Sequence, residues 1–241
     1  MTISLSDAGK RFNRDWIFRH FNYTFNTGNS YAIVGPNGSG KSTLLQAIGG
    51  AIGLSEGKLE VSSKSSALVS GPPVGNSELL NPGQQVQDPS HRFTRASMER
   101  SPAIDTENIY QYIAIAAPYL EVIEEMTATE FLAFHQTFKP LLAAVDIKEI
   151  IEIVGLTNAA GKQIRYYSSG MKQRIKLAQA IFSAVPVILL DEPCTNLDST
   201  GIALYQNLID TYCKDRLVIV SSNDEAEYGF CKEKLSMLAF K

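Results

Sequence analysis

Cysteine is scarce in this chain. Cys194, Cys213 and Cys231 are the only three, an odd count with no CxxC spacing. They make neither a disulfide framework nor a zinc site, so a reducing cytoplasm is the expected compartment. Long apolar runs are missing too. None reaches the roughly 18 residues a helix needs to cross a bilayer. The opening stretch, "MTISLSDAGKRFNRDW", lacks the apolar core of a secretory leader. Neither sign of charge is in excess: 22 Lys and Arg face 25 Asp and Glu, for a formal net charge of -3. That removes the electrostatic case for a nucleic-acid partner. Sustained heptads are also absent, so no long coiled coil is expected. What remains, 241 residues at 44% hydrophobic and 20% charged, suits one globular domain with one core.

The strongest local signal is "NSYAIVGPNGSGKSTLLQAIGG". "YAIVG" is short, apolar and β-branched, which reads as a buried strand. "GPNGSGKST" matches G-x-x-x-x-G-K-[ST] in full, and "LLQAI" continues with helical period. Strand, Gly-rich loop and helix are thus in the order a phosphate cradle requires. Gly35, Gly38 and Gly40 let the backbone come close to phosphate oxygens. The N–H groups of Pro36-flanking loop residues Asn37 and Ser39, and of Thr43 at the helix start, belong to the same anion site. Lys41 is placed to reach the terminal phosphates, and the Ser42 hydroxyl to hold Mg²⁺.

A second signal lies at "PVILLDEPCTNLD". Its continuous apolar run predicts a buried parallel strand. The run ends in two carboxylates, at the sheet edge where open α/β folds bind ligands. Asp191 suits a metal-side carboxylate. Glu192, one residue on, suits a group that orients or deprotonates a water. Between these signals stands "YSSGMKQR", small residues that turn basic and lead into "IKLAQAIFS", a helix start.

Taken in order, these pieces resemble the ATP-binding subunit of ABC transporters. Ser168, Gly170, Gln173 and Arg174 match the family signature LSGGQ-x-Q-R, while Tyr167, Ser169 and Met171 depart from it. The resemblance implies an α/β P-loop NTPase fold with a RecA-like core sheet and a helical ABC signature subdomain, residues 113–184, within a single domain 1–241. It implies ATP and Mg²⁺ as ligands and ATP hydrolysis as the activity. It further implies a head-to-tail dimer with a second copy or a homologous ATPase subunit. There the helix opening at Ser168 faces the partner's nucleotide, its dipole favouring the terminal phosphate, and Asp198 of "TNLD" reaches across. Phe12 is the implied adenine-stacking aromatic, with Trp16 beside it. Integral membrane permease subunits are the implied partners, with the chain peripheral on the cytoplasmic face of the inner membrane.

Two departures bear on catalysis. Where the family has a glutamine near Mg²⁺ and the attacking water, alignment on "MTATEFL" places Pro118. Glu121 or a backbone carbonyl is the expected substitute. Where the family has a histidine after the strand "RLVIVSSN", this chain has Asn223. Its histidines are His20, His91 and His135, and none follows Glu192.

Residues 63–104 carry Pro72, Pro73, Pro82, Pro89 and Pro102 among Ser, Asn, Gly and Gln, with no lasting period. They predict a disordered insertion between the otherwise adjacent strands "GKLEVS" and "IAIAA". Thr127 and Glu130 predict a capping box. Asp146 and Gly155 should bound a helix over "IKEIIEIV". "NSYAIVG", "VILLDEP", "LVIVSSN" and "KLSMLAFK" should share one sheet. The last of these closes the chain, which leaves an expectation of no C-terminal regulatory domain.

Overall fold

A computed structural model describes residues 1–62 and 103–241. The expected insertion therefore lies outside the described residues, apart from its last two positions. In chain order the elements begin with β1 (Thr2–Phe12), β2 (Asp15–Asn26), β3 (Ser30–Val34), α1 (Lys41–Ile48) and β4 (Glu56–Ser62). After β5 (Ala103–Ile104) come β6 (Ile113–Ala116), α2 (Ala128–Phe138), α3 (Ile147–Ile153) and α4 (Ser169–Ile181). The chain continues through β7 (Val187–Asp191), α5 (Ser199–Tyr212), β8 (Leu217–Ser221), α6 (Glu225–Tyr228) and β9 (Glu233–Ser236).

These strands form two sheets. An antiparallel sheet runs β2-β1-β4-β5, and a five-stranded sheet runs β6-β7-β8-β3-β9. Every pairing in the second is parallel, so the fold is α/β. Its inner strands β7 and β8 are buried along their whole length and almost entirely apolar, because both faces are covered. In β7, Val187 and Leu189 face the antiparallel sheet and α1, while Ile188 and Leu190 face the core of the α2–α5 helices. The period-two alternation of a strand sorts one apolar run between two cores. The helix of the Gly-rich loop, α1, is thereby held between the two sheets by Leu44, Leu45 and Ile48, all fully buried.

Three expectations are corrected. The helical subdomain expected over 113–184 starts later: residues 113–116 form β6, the strand expected at "IAIAA" and the edge of the parallel sheet, and the helices of that half begin at Ala128. "GKLEVS" and "IAIAA" are not neighbours, since β4 and β6 belong to different sheets. Instead β4 pairs with β5, the tail of the expected insertion, through Val61 with Ile104 and Ser62 with Ala103. Only "KLS" of "KLSMLAFK" falls in β9; Met237–Phe240 turn into a 3₁₀ helix.

The β1–β2 hairpin has no clear signature in the sequence. Its register shifts between Leu5 and Ala8 and again beyond it. Asp7 (φ 48°) and His20 (φ 53°) take the left-handed conformation there, and such bulges break the alternation that marks a strand. The helix ends are more legible. Thr127 and Glu130 close a reciprocal capping box on α2, and Asp146 and Glu149 do the same on α3. Gly155 adopts φ 68° just past α3, the left-handed stop a residue with Cβ resists.

Candidate nucleotide site

The Gly-rich loop leaves the C-terminal end of β3 and turns into α1. Gly40 is the N-cap, at φ 98°. A Cβ there would lie 2.6 Å from Ile17 Cγ2, so both the conformation and the space demand glycine. The first backbone bond to close the helix runs from Leu44 N–H to Gly40 O, 2.9 Å. The N–H groups of Lys41, Ser42 and Thr43 therefore open outward, at the positive end of the helix dipole. Lys41 is buried, and its Nζ donates to the loop carbonyls of Gly35 (2.7 Å) and Pro36 (3.4 Å). The ammonium is thus already fixed inside the loop that an anion would enter.

A cavity of about 340 Å³ opens over this loop, lined by Asn37 to Thr43, Ile17 and Glu192. Glu192 arrives from β7, two strands away from β3. Its φ of 43° is left-handed, a costly state for a residue with Cβ and one that occurs mostly at functional sites. Its backbone is pinned by Glu192 N–H to Ser221 O (2.9 Å) and by Thr195 Oγ1 to Glu192 O (2.9 Å). Asp191 is buried, and its Oδ1 has no hydrogen-bond partner among the described residues; the same holds for the buried hydroxyls of Ser39 and Ser221. A buried carboxylate oxygen without a donor is costly and calls for a cation or water. The donor set fits a hard cation held by Asp191 and the Ser42 hydroxyl.

Asn223 stands just past β8, the neighbour of β3. Its Oδ1 accepts from Gly35 N–H (3.3 Å) and its Nδ2 donates to Asn37 Oδ1 (3.0 Å). The side chain ties the loop's first glycine to its crown. Glu121, one substitute expected for the missing glutamine, does not line this cavity. The Pro118 carbonyl accepts from Lys176 Nζ (3.1 Å), and exposed Glu121 acts on Lys176, where burial lowers the ammonium and the Glu121 charge raises it.

Phe12, Ser168, Gly170 and Asp198 lie outside this cavity. Phe12 sits at the hairpin tip, half exposed, with Lys10 Nζ 5.1 Å from its ring centre. The Trp16 ring carries two guanidiniums, Arg11 at 5.5 Å and Arg19 at 4.2 Å. Ile17, absent from the sequence-based candidates, is the hairpin residue that lines the cavity. Ser168 caps α4, accepting from Met171 N–H (3.3 Å). Tyr167 is buried and donates to Ala159 O (2.8 Å), so the departure from the usual leucine is a packing residue with a satisfied hydroxyl.

The start of α4 is stitched to the loop after β7. Gln173 Nε2 donates to Pro193 O (2.7 Å), Arg174 reaches Asp198 Oδ1 (3.7 Å), and a Cβ on Gly170 would stand 3.0 Å from Asn196 O. From the other side, buried Glu227 accepts from Cys194 N–H (2.7 Å). Burial raises the Glu227 carboxyl above its ordinary value, against hydrogen bonds from Ser222 and Cys194 that lower it. The loop carrying Glu192 is therefore held between α4 and α6. A larger hollow of about 830 Å³ lies between α2 and α3, lined largely by residues such as Leu141, Val145 and Ile151. It offers no glycine loop or paired carboxylates for phosphate chemistry, so size does not identify the reactive site.

A Gly-rich loop between a parallel strand and a helix, with a lysine inside it and two carboxylates beside it, defines a P-loop nucleotide-binding protein. The sequence profile of the ABC transporter family matches residues 18–195, and the chain belongs to that family as an ATP-binding subunit. Among curated relatives, the uncharacterised ABC transporter ATP-binding protein YybJ of Bacillus subtilis (strain 168) is 27% identical, covering 98% of this chain and 92% of its own length. The lantibiotic transport ATP-binding protein SrtF of Streptococcus pyogenes is 24% identical, over 92% of this chain and 79% of its own. Among solved structures, an ATP-binding subunit of an ABC transporter superposes with TM-score 0.72 at 18% identity, covering 98% of this chain and 85% of that one. A dimeric bacterial ABC transporter cassette superposes with TM-score 0.70 at 19% identity, covering 98% and 94%. The two structures carry the fold alone. Among the described residues, no helix is long and apolar enough to cross a membrane.

Proposed function

We propose that this chain hydrolyses ATP with Mg²⁺ and thereby drives transport through separate integral membrane permease subunits, from the cytoplasmic face of the membrane. The observation that carries the reading is the convergence of loop, Asp191, Glu192 and Asn223 on one sheet edge. The outward N–H groups of residues 41–43 and the Lys41 ammonium would bind the phosphates. Ser42 and Asp191 would hold Mg²⁺, which supplies charge neutralisation at the phosphates when bound. The Glu192 carboxylate would accept a proton from water at the cavity mouth. Asn223 keeps the loop in shape and can donate a hydrogen bond, but it cannot carry a proton.

Ser168, Gly170 and Asp198 lie away from this chain's own loop, which favours their use against the nucleotide of a second copy or homologous subunit, head to tail. Phe12, exposed at the hairpin tip, would then serve adenine from outside the cavity. The domain reading follows: one cassette whose helical half, α2 to α4, carries the signature and meets the permease. Pro118 and Asn223 favour a second reading, a nucleotide-binding regulator that turns over slowly or not at all.

The test is ATP binding by calorimetry and phosphate release by the purified chain. The parent should bind and release phosphate. Lys41→Ala should lose most of the affinity while keeping its melting temperature within a few degrees. Equal binding by Lys41→Ala would refute the assignment of the loop, and a parent that binds without turnover would select the regulator.

A further inference from the structure

The loop after β7 turns on a strained residue. Glu192 holds φ 43°, a conformation that persists only where the surroundings over-determine it. Its side chain lines the cavity, so the restraint comes through the backbone on either side. Ahead of the carboxylate, Glu192 N–H is held by Ser221 O. Behind it, Gln173 Nε2 holds Pro193 O, and Glu227 Oε1 accepts from Cys194 N–H (2.7 Å).

Glu227 is an unusual choice for that task. It is buried, and glutamate is almost never buried unless it is paired. Among the described residues it forms no ion pair with a lysine or arginine. It does not line the nucleotide cavity either. What its Oε1 holds is one backbone N–H, two residues past Glu192. Its own backbone is fixed in turn, since the fully buried Tyr205 donates its hydroxyl to Glu227 O (2.8 Å). Asp224 caps the start of α6 by accepting from Ala226 N–H (2.9 Å). Asn223, which ties Gly35 to Asn37, immediately precedes that cap. Residues 223–227 therefore hold the Gly-rich loop at one end and the Glu192 loop at the other.

We propose that Glu227 is a positioning residue for the Glu192 carboxylate: by holding Cys194 N–H it keeps the loop after β7 turned so that Glu192 points into the cavity. This role rests on the proposed ATP hydrolysis, and Glu227 acts through Cys194 rather than on the nucleotide. The feature that matters is an acceptor at the right reach. A glutamine carbonyl offers one at the same length, whether the native carboxyl is charged or neutral. Aspartate keeps the acid but withdraws it by one methylene. Methionine keeps the length and ends in a methyl group.

The experiment measures ATP affinity by calorimetry and kcat by phosphate release at saturating ATP and Mg²⁺, for the parent, Glu227→Met, Glu227→Gln and Glu227→Asp. All should bind ATP within about twofold of the parent, because Lys41 and the N–H groups of the Gly-rich loop are untouched. A catalytic group misplaced by about 1 Å can cost about 10²-fold in rate, so Glu227→Met should lose about 10- to 100-fold in kcat. Glu227→Asp should lose several-fold, and Glu227→Gln should stay within about threefold of the parent. Affinity and kcat falling together would show a structural role alone and overturn the inference. So would a Glu227→Gln as slow as Glu227→Met, or a Glu227→Asp that matches the parent while Glu227→Gln is slow, since the charge and not the acceptor would then matter. If Glu227→Met does not fold, the contrast between Gln and Asp carries the test. A parent that binds ATP without releasing phosphate refutes the hydrolysis on which the role rests. A parent that turns over beside an equally fast Glu227→Met refutes the role of Glu227 alone.

Discussion

Asn223→Ala separates two roles that one amide performs. In the structure the side chain holds the loop at two points, Gly35 N–H and Asn37 Oδ1. Both bonds are neutral and solvent-exposed, and the one to Gly35, at 3.3 Å, is longer than the usual optimum near 3.0 Å. Each contributes about 0.5–1.5 kcal/mol net, with the longer one at the low end, so the pair sums to roughly 1–2 kcal/mol. If all of that preorganises the loop, ATP affinity should fall by about 5–30-fold at 1.4 kcal/mol per decade. Turnover carries a separate cost. Removing a preorganised, buried donor costs about 10²–10³ in rate. A half-adapted, exposed amide should cost less, about tenfold in kcat. Calorimetry reads the first effect and steady-state phosphate release the second. Asn223→His restores a group that can carry a proton and should turn over faster than Asn223→Ala. If Asn223→Ala binds and turns over like the parent while Glu192→Gln is inactive, the amide has neither role and the reasoning fails.

Other predictions follow from the same geometry. Glu192→Gln should bind ATP without turnover and accumulate a dimer, seen as a heavier species in sedimentation with ATP and Mg²⁺; a strict monomer there would count against the head-to-tail arrangement. His135 offers a pH test away from the site. Ser183 Oγ donates to Gln179 O (2.6 Å), so it accepts from His135 Nε2 (2.8 Å), while Gln179 Nε2 donates to Nδ1 (3.2 Å). The neutral ring is fully partnered. Burial first, then the Lys139 charge, pushes His135 down from 6.5 to about 4. The unfolded chain therefore binds more protons between those values, and stability must fall as pH drops through that window. His135→Gln should flatten the fall in melting temperature between pH 6.5 and 4, and a slope equal to the parent's would exclude the histidine as its source.

Much of the site is legible in the sequence because its chemistry is local. A phosphate cradle is built from consecutive backbone N–H groups, so residues 35–43 declare it by spacing alone. The same holds for Asp191 and Glu192, whose run of apolar residues announces a strand and whose position announces its end. Capping boxes at Thr127 and Asp146 are four-residue events and are equally legible. The hairpin is not, because three register shifts, with Asp7 and His20 left-handed among them, erase its alternation. β6 is legible as the strand "IAIAA", although the sheet it joins is not.

Tertiary structure alone decides which distant groups meet. The strand order β6-β7-β8-β3-β9 brings Asn223 to Gly35 across 188 positions of chain and Glu192 to the loop's mouth. It also sets the carbonyl of Pro118, the residue at the missing glutamine's position, against Lys176 Nζ. The physical reason is the difference between the two kinds of information. Spacing along the chain encodes backbone geometry over a few residues, whereas side-chain neighbours at a sheet edge follow from strand order, register and turns, which the packing of both cores selects together.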